Sequence, residues 1–184
     1  MILCQSGLLQ IAIRHFNHKN IIKYEPDSRG QFNSIEEMNE TIIQNWNSVV
    51  NNEDTVYVLG DFFMGHISTI EPILNRLKGK IILIRGNHDQ KNRRRIFSEH
   101  GIEIKDIEYI EYKGKFFILS HFPLFNEEFA KMVNEDNGEV VVLYGHIHSN
   151  APKGFVDGTY HVGMDTNNLT PISIEQIWQE CSLS

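Results

Sequence analysis

Apolar residues spaced three and four positions apart predict a helix in the first third of the chain. Between residues 35 and 50 they occur at Ile35, Met38, Ile42, Trp46 and Val49. This spacing places all five side chains on one face of a helix. The other positions of this segment are mostly polar, so the helix is expected to pack on a core through one side only.

Start and stop signals support this helix and predict a second one. Ser34 and Glu37 have the spacing of a capping box, and Ser68 and Glu71 repeat it. Gly79 is a typical residue to end the second helix. The sequence therefore predicts helices beginning near Ser34 and Ser68, the second of them ending at Gly79.

Short, continuous apolar runs predict strands that are covered on both faces. Residues 104–112 alternate more, and Lys113-Gly114 is a typical hairpin turn before the next strand. A last helix is predicted for residues 173–181. The continuous runs cover residues 55–59, 80–84, 116–119 and 140–144.

Composition favours an ordinary globular domain and excludes several classes. The 184 residues are 41% hydrophobic and 22% charged, which fits a single α/β or α+β domain over residues 1–184. The net charge of -7 makes nucleic-acid binding an unfavoured function. No apolar run has the length of a membrane span, and the first thirteen residues lack signal-peptide features, so a cytoplasmic location is expected.

Polar side chains follow the predicted strands where each strand ends. The first strand leads into Gly60-Asp61, and the second leads into Gly86-Asn87-His88-Asp89. Ser120-His121 and Gly145-His146-Ile147-His148 follow the other two. Open sheets place their sites at the carboxyl ends of strands, so these side chains are expected to meet. Oxygen and imidazole donors suit manganese, iron, cobalt, nickel or zinc.

These blocks, in this order, resemble the signature of calcineurin-like metallophosphoesterases. Residues 13–21 also resemble the first block of small bacterial and phage members, and the resemblance extends over about residues 13–172. It implies a four-layer sandwich of two mixed β-sheets flanked by helices. It also implies one or two divalent ions, with manganese favoured, and hydrolysis of phosphate diesters or monoesters.

The resemblance implies a role for each matching residue. Asp61 would bridge two ions, while Asn87, His121 and His146 would complete the first ion's ligands. The second ion would be held by Asp61 together with His15 and His148.

Two further residues match positions that act on the phosphate. His88 would donate a proton to the leaving oxygen or stabilise the transition state, and Asp89 would orient it. His18 and Arg85 are candidate substrate-binding residues.

One position departs from the family pattern. Ile13 stands where the family has a metal-binding aspartate, and no Asp or Glu precedes Glu25. Three interpretations compete: a weakened second site, a fold that has lost catalysis and serves as a binding module, or an altered start of the chain upstream of Arg14.

The remaining polar residues of note are interpreted as structural. His66, His100 and His161 lack motif support and are interpreted as structural or solvent-exposed. Arg93-Arg94-Arg95 could steer an anionic substrate, but a solvated helix face is the commoner meaning of such a run. Asp165 is expected to close a strand end near the site. The leading hypothesis is a phosphoesterase that acts on a small phosphate ester or nucleotide; the alternative is a binding or interaction module. The oligomeric state is left open.

Overall fold

The strands form two five-stranded sheets in the computed structural model, which describes residues 9–12, 15–124, 140–148 and 151–183. The first sheet contains β1 (Leu9–Ala12), β2 (Thr55–Val58), β3 (Lys80–Ile84), β4 (Glu103–Lys105) and β10 (Ile172–Ser173). The second contains β5 (Glu108–Tyr112), β6 (Lys115–Leu119), β7 (Val140–Tyr144), β8 (Phe155–Val156) and β9 (Thr159–His161).

Helices of very different lengths connect these strands. The longest, α3, carries the predicted apolar face, and Ser34 accepts a hydrogen bond from the Glu37 amide at its start. The α-helices are α1 (Ile21–Tyr24), α2 (Pro26–Arg29), α3 (Ile35–Val49), α4 (Ile70–Leu74), α5 (Lys91–Glu99) and α6 (Ile174–Ser182). Short 3₁₀ turns span Ile67–Thr69 and Met164–Thr166.

Both sheets mix parallel and antiparallel pairs. In the first sheet, with order β10-β1-β2-β3-β4, strands β1 to β4 are parallel and β10 is antiparallel. In the second, with order β5-β6-β7-β9-β8, strands β6, β7 and β9 are parallel and the outer two are antiparallel. The parallel strands therefore deliver their carboxyl ends, and the polar blocks that follow, to one edge of each sheet.

Alternating residues of β2 and β3 enter two separate apolar cores. Val56 and Leu83 pack with α3, α4 and α5 on one side of the first sheet. Tyr57 and Ile82 face the other way, toward residues of the second sheet and α6. Strands buried on both faces explain the continuous apolar runs. Two mixed sheets flanked by helices confirm the predicted fold class.

The predicted helix from Ser68 to Gly79 is wrong at both ends. Ser68 does not cap it, because its amide and hydroxyl both bond Nδ1 of His66, which caps a 3₁₀ turn instead. At the other end the helix stops at Leu74, and Arg76 and Leu77 bond carbonyls three residues back in tight turns.

The single alternating strand predicted for residues 104–112 is also wrong. The segment divides into β4 and β5, which lie in different sheets. Alternation indicates only that each part has one buried face. The same alternation continues through both parts, so it does not show where one strand ends and the next begins. The hairpin predicted at Lys113-Gly114 is confirmed, since β5 and β6 pair antiparallel and both turn residues have positive φ angles. Within the described ranges, no helix is long and apolar enough to cross a membrane.

Three histidines predicted to be structural or exposed have structural partners. His66 caps the 3₁₀ turn, and Nδ1 of His100 lies 2.9 Å from the Ile96 carbonyl. His161 is buried, with its Nδ1 3.1 Å from the hydroxyl of Thr166.

Candidate metal centre

Loops after strands of both sheets bring an aspartate and two histidines together. Asp61 follows β2, His121 follows β6 and His146 follows β7. One ligand atom from each of the three lies within 4.8 Å of the others. The Gly145 amide donates to the His121 carbonyl, which ties together the loops that follow β6 and β7. The predicted convergence of strand-end residues is therefore found for these three.

The hydrogen bonds of His121 leave its second nitrogen facing other ligand atoms. Nδ1 of this buried ring lies 2.8 Å from the Leu59 carbonyl, which can only accept, so Nδ1 carries a proton. Nε2 lies 3.4 Å from Oδ2 of Asp61 and 3.0 Å from Oδ1 of Asn87. Nδ1 of His146 is 3.2 Å away. When Nε2 of His121 carries no proton, its lone pair faces these neighbouring atoms, and a bound cation would remove the resulting repulsion.

Electrostatics favour a positive charge at the same point. Burial raises the pKa of Asp61, but hydrogen bonds from His121 and His15 outweigh burial and hold the pKa far below its ordinary value. Burial lowers the pKa of His121, yet the Asp61 and Leu59 contacts leave it raised. Burial and the neighbouring His121 lower the pKa of His146. The centre thus holds an ionised carboxylate beside two imidazoles, His121 with a raised pKa and His146 with a lowered one.

Backbone conformations at the centre are unusual for non-glycine residues. Asp61, His146 and His148 have φ angles of 50°, 66° and 49°, in the left-handed region. Such conformations persist only where the surrounding structure enforces them, and they cluster at functional sites. Gly60 is required beside them, because a Cβ there would lie 2.3 Å from Nδ1 of His121.

Asp89 holds the backbone of the site. Its buried carboxylate accepts hydrogen bonds from the amides of Asp61, Phe62 and Gly86 at 2.8, 3.1 and 2.9 Å, and burial raises its pKa. Within the described residues it makes no hydrogen bond to the His88 imidazole, so the orienting role expected for it is not seen. Asp89 instead ties the β2–α4 and β3–α5 loops together.

His88 is attached to the centre through its backbone. Its amide donates to Oδ1 of Asp61 at 2.8 Å, while the residue itself is exposed. An exposed imidazole at the rim of the centre can reach a bound molecule without occupying a ligand position.

The ligands predicted for the second ion converge less closely than those predicted for the first. Nε2 of His15 lies 3.7 Å from Oδ2 of Asp61, and the His15 and His148 ring centroids are 4.6 Å apart. Burial lowers the pKa of His15 to about 4. Across the described chain, Asp61, His121 and His146 form the one set of three His, Cys, Asp or Glu residues that converges closely enough for an ion. Ile13 lies outside the described residues.

Asp165 contacts the site directly, beyond the strand-closing role expected from the sequence. Its Oδ2 lies 3.0 Å from Nδ1 of His148, and its Oδ1 accepts from Nε of Arg29 at 2.6 Å. Burial raises the pKa of Asp165, but His148 and Arg29 outweigh burial and lower it strongly. Its position after β9, at the same sheet edge as the other blocks, was the sequence signal for this contact.

The two candidate substrate-binding residues have different neighbours. The His18 ring centroid is 5.6 Å from that of His15, and burial lowers the His18 pKa. The Arg85 guanidinium pairs with Asp106 at 2.9 Å.

The prediction that the arginine run lies on a solvated helix face is wrong for Arg93. Its guanidinium donates to the carbonyls of His88 and Gly65 at 3.1 and 3.0 Å. Arg93 therefore links α5 to the loops that carry the candidate site.

The donor set fits a divalent transition-metal ion. Nitrogen and carboxylate oxygen donors without a thiolate are typical of manganese, iron, cobalt, nickel or zinc sites. The Nδ1–Leu59 hydrogen bond also gives His121 the outer partner that metal-ligating histidines commonly have.

Comparison with known proteins identifies the family. Residues 38–162, more than half of the chain, match the calcineurin-like phosphoesterase superfamily domain. Protein MJ1445 of Methanocaldococcus jannaschii is 34% identical over 174 residues, covering 91% of this chain and 86% of its own. The gene 66 protein of Mycobacterium phage L5 is 26% identical over 159 residues, covering 73% of this chain and 74% of its own.

Solved structures agree with this assignment. Protein AQ665 of Aquifex aeolicus has a TM-score of 0.75 and 27% identity, covering 95% of this chain and 99% of its own. A structure described as a novel archaeal phosphodiesterase has a TM-score of 0.51 and 18% identity, covering 90% and 98%, and supports the fold. The chain therefore belongs to the calcineurin-like phosphoesterase superfamily.

Proposed function

We propose that this protein is a metal-dependent hydrolase of small phosphate esters or nucleotides. The observation that carries the proposal is the convergence of ligand atoms of Asp61, His121 and His146 within 4.8 Å of one another. Family membership implies divalent metal ions and a phosphoesterase fold. The family and the donor geometry together support hydrolysis better than binding alone.

The first ion would bind the converged group. It would be held by Asp61, Asn87, His121 and His146. Asp61 would also bind a second ion together with His15 and His148, in a dinuclear centre. Manganese is favoured, and iron, nickel, cobalt or zinc suit the same donors. Bound ions would neutralise charge on the phosphate and lower the pKa of a nearby water.

His88 would act on the leaving group. Its backbone is fixed to Asp61 and its side chain is exposed, so it can donate a proton to the leaving oxygen. Asp89 would act indirectly, because it holds the amides of Asp61 and Gly86. His18, beside His15, and Arg85, in the lining shared with Asn87 and His121, would contact the substrate.

The second candidate function is a binding module on the same fold. Ile13 favours it, because an isoleucine cannot replace the carboxylate that the family has there. In that case the converged group could still bind one ion while turnover is lost.

The test compares hydrolysis of bis(4-nitrophenyl) phosphate and 4-nitrophenyl phosphate with manganese, nickel or zinc. The native chain, Ile13→Asp and His146→Ala are assayed together. His100→Ala is the matched control, since His100 lies at the end of α5, where its ring contacts a backbone carbonyl and forms an ion pair with Glu71. Metal binding to each variant is measured by titration calorimetry.

We expect native activity that His146→Ala abolishes and His100→Ala keeps. Activity in Ile13→Asp alone would mean that the missing carboxylate silences the native centre. Metal binding without hydrolysis in native and Ile13→Asp chains would support the binding module instead.

A further inference from the structure

A cavity adjoins the candidate metal centre on the α5 side. Its volume is ≈ 560 Å³, and its lining includes the proposed ligands Asn87 and His121. Arg85 and Arg94 also line it, and Phe122, 44% exposed, forms part of its wall. Ligand pockets commonly have volumes of roughly 300–1,000 Å³, so this cavity can hold a group much larger than one phosphate.

Arg94 differs from the other arginines nearby. Arg93 donates to two carbonyls, Arg85 pairs with Asp106, and Arg95 lies 3.7 Å from Glu99. Within the described residues, the guanidinium of Arg94 has no acceptor.

The missing acceptor is informative because part of the Arg94 side chain is buried. Its Nε, like that of Arg93, is buried without a hydrogen-bond partner, but the other two nitrogens of Arg93 donate to carbonyls, whereas none of Arg94 does within the described residues. Buried donors almost always have a partner, and Arg94, unlike Arg93, lines the cavity with no acceptor for any of its guanidinium nitrogens within the described residues, which indicates that a group binds there. A guanidinium presents parallel N–H donors that match the oxygens of a phosphate group.

We propose that Arg94 binds a second phosphate group of the substrate while the reacting phosphate lies at Asn87 and His121. This rests on the proposed function and narrows its substrate class to phosphate esters that carry another phosphate, such as nucleoside bisphosphate derivatives. The ring of Phe122, 4.7 Å from that of His121, provides an apolar wall for the sugar or base that joins the two phosphates. Arg94 is then a specificity-determining residue.

The kinetic test uses two chromogenic diesters that differ by one group. They are the 4-nitrophenyl ester of thymidine 5'-phosphate and the same ester with an added 3'-phosphate. Values of kcat/KM are compared for the native chain, Arg94→Gln and Arg94→Lys. Arg95→Gln is the matched control, because it removes the neighbouring guanidinium of the same helix.

We expect native protein and Arg95→Gln to prefer the 3'-phosphorylated ester by about tenfold or more, since hydrogen bonds to charged groups contribute about 1.5–3 kcal/mol. Arg94→Gln should lose that preference, and Arg94→Lys should keep part of it. An equal preference in native and Arg94→Gln chains overturns the proposal, as does an equal loss on both esters.

A binding test separates this proposal from hydrolysis. Titration calorimetry with manganese present compares thymidine 3',5'-bisphosphate with thymidine 5'-monophosphate on the same variants. Tighter binding of the bisphosphate that is lost only in Arg94→Gln supports the anion site even in a chain without turnover. Equal affinities in the native protein overturn it even if hydrolysis is found. Circular dichroism melting confirms that Arg94→Gln is folded.

Discussion

Nδ1 of His148 lies 3.0 Å from Oδ2 of Asp165, and the same carboxylate is bonded to Arg29, whose side chain is 1% exposed. A carboxylate at Nδ1 favours the tautomer with its proton there, which leaves the Nε2 lone pair of His148 available. Ser28 donates a further hydrogen bond to Asp165 at 2.9 Å. The contact therefore connects α2 to the candidate centre through one buried carboxylate.

Replacing that carboxylate should destabilise the fold. Asp165→Asn leaves the buried Arg29 guanidinium without its countercharge, and breaking one side of a buried ion pair costs about 3–5 kcal/mol. Urea denaturation in the presence of a chelator should show a loss of that order in the free energy of unfolding.

The control is an ion pair on the surface. Arg76 and Glu40 are both about half exposed at 2.8 Å separation, so Glu40→Gln should change the unfolding free energy little. If Glu40→Gln and Asp165→Asn lose similar amounts of unfolding free energy, burial does not increase the contribution of the Arg29–Asp165 ion pair to stability.

Gly86 should be needed for metal binding. A Cβ at this position would lie 2.4 Å from Oδ1 of Asp61 and 2.6 Å from its amide nitrogen. Gly86→Ala must therefore displace the central carboxylate, and we expect manganese or zinc affinity to fall by about tenfold or more, the scale of losses for disturbed ligand positioning. Titration calorimetry measures this directly.

Gly101→Ala is the matched substitution. A Cβ at Gly101 meets nothing within 4 Å, although φ is +74°, so this variant has backbone strain without a clash. Its metal affinity should equal that of the native chain. Unchanged affinity in Gly86→Ala would refute the placement of Asp61 against this loop.

The sequence was sufficient to predict α3, the strands β2, β3, β6 and β7, and the residues that follow these strands. These features arise from local spacing and from the rule that polar blocks meet at strand ends. Asp61, His121 and His146 were found in this way. Arg29 and Asp165, separated by 136 residues, form their pair through tertiary packing, so neither residue carried a local signal for it.

Other features depended on contacts that the pattern does not encode. The alternating segment divides into β4 and β5 because its first part pairs in one sheet and its second part pairs in the other. The arginine run looks uniform in sequence, yet its three members contact carbonyls, line a cavity and approach Glu99 respectively. Helical spacing predicts which residues share a face, but not which face meets a neighbouring loop.

Stability should fall as His161 is protonated. Burial lowers the pKa of His161 to about 4 from its ordinary value of 6.5, although the charge of Asp165 opposes this. Between these values the unfolded chain binds the proton and the folded chain does not, so stability is full above about pH 6.5 and is lost as the pH falls toward 4.

The comparison is between the native chain and His161→Gln in chelator. Their difference in unfolding free energy should change with pH across this window, by an amount on the order of 3 kcal/mol. The subtraction removes the contributions of His15 and the carboxylates that both chains share. If the difference in unfolding free energy between the two chains stays constant from pH 7 to pH 4, His161 accepts a proton in the folded state at no cost in stability.

The thiol of Cys181 should be inert in the folded protein. Burial raises its pKa to about 12, and the residue is 5% exposed in the core between the sheets. The thiolate is the reactive form, so both access and ionisation oppose reaction at pH 8. A Cys4→Ser chain isolates this thiol, and its reaction with Ellman's reagent should be far slower than that of a free cysteine. In urea above the unfolding midpoint the same thiol should react at the free rate. Fast reaction without denaturant would place Cys181 outside the core and contradict the packing of α6 against β1 and β10.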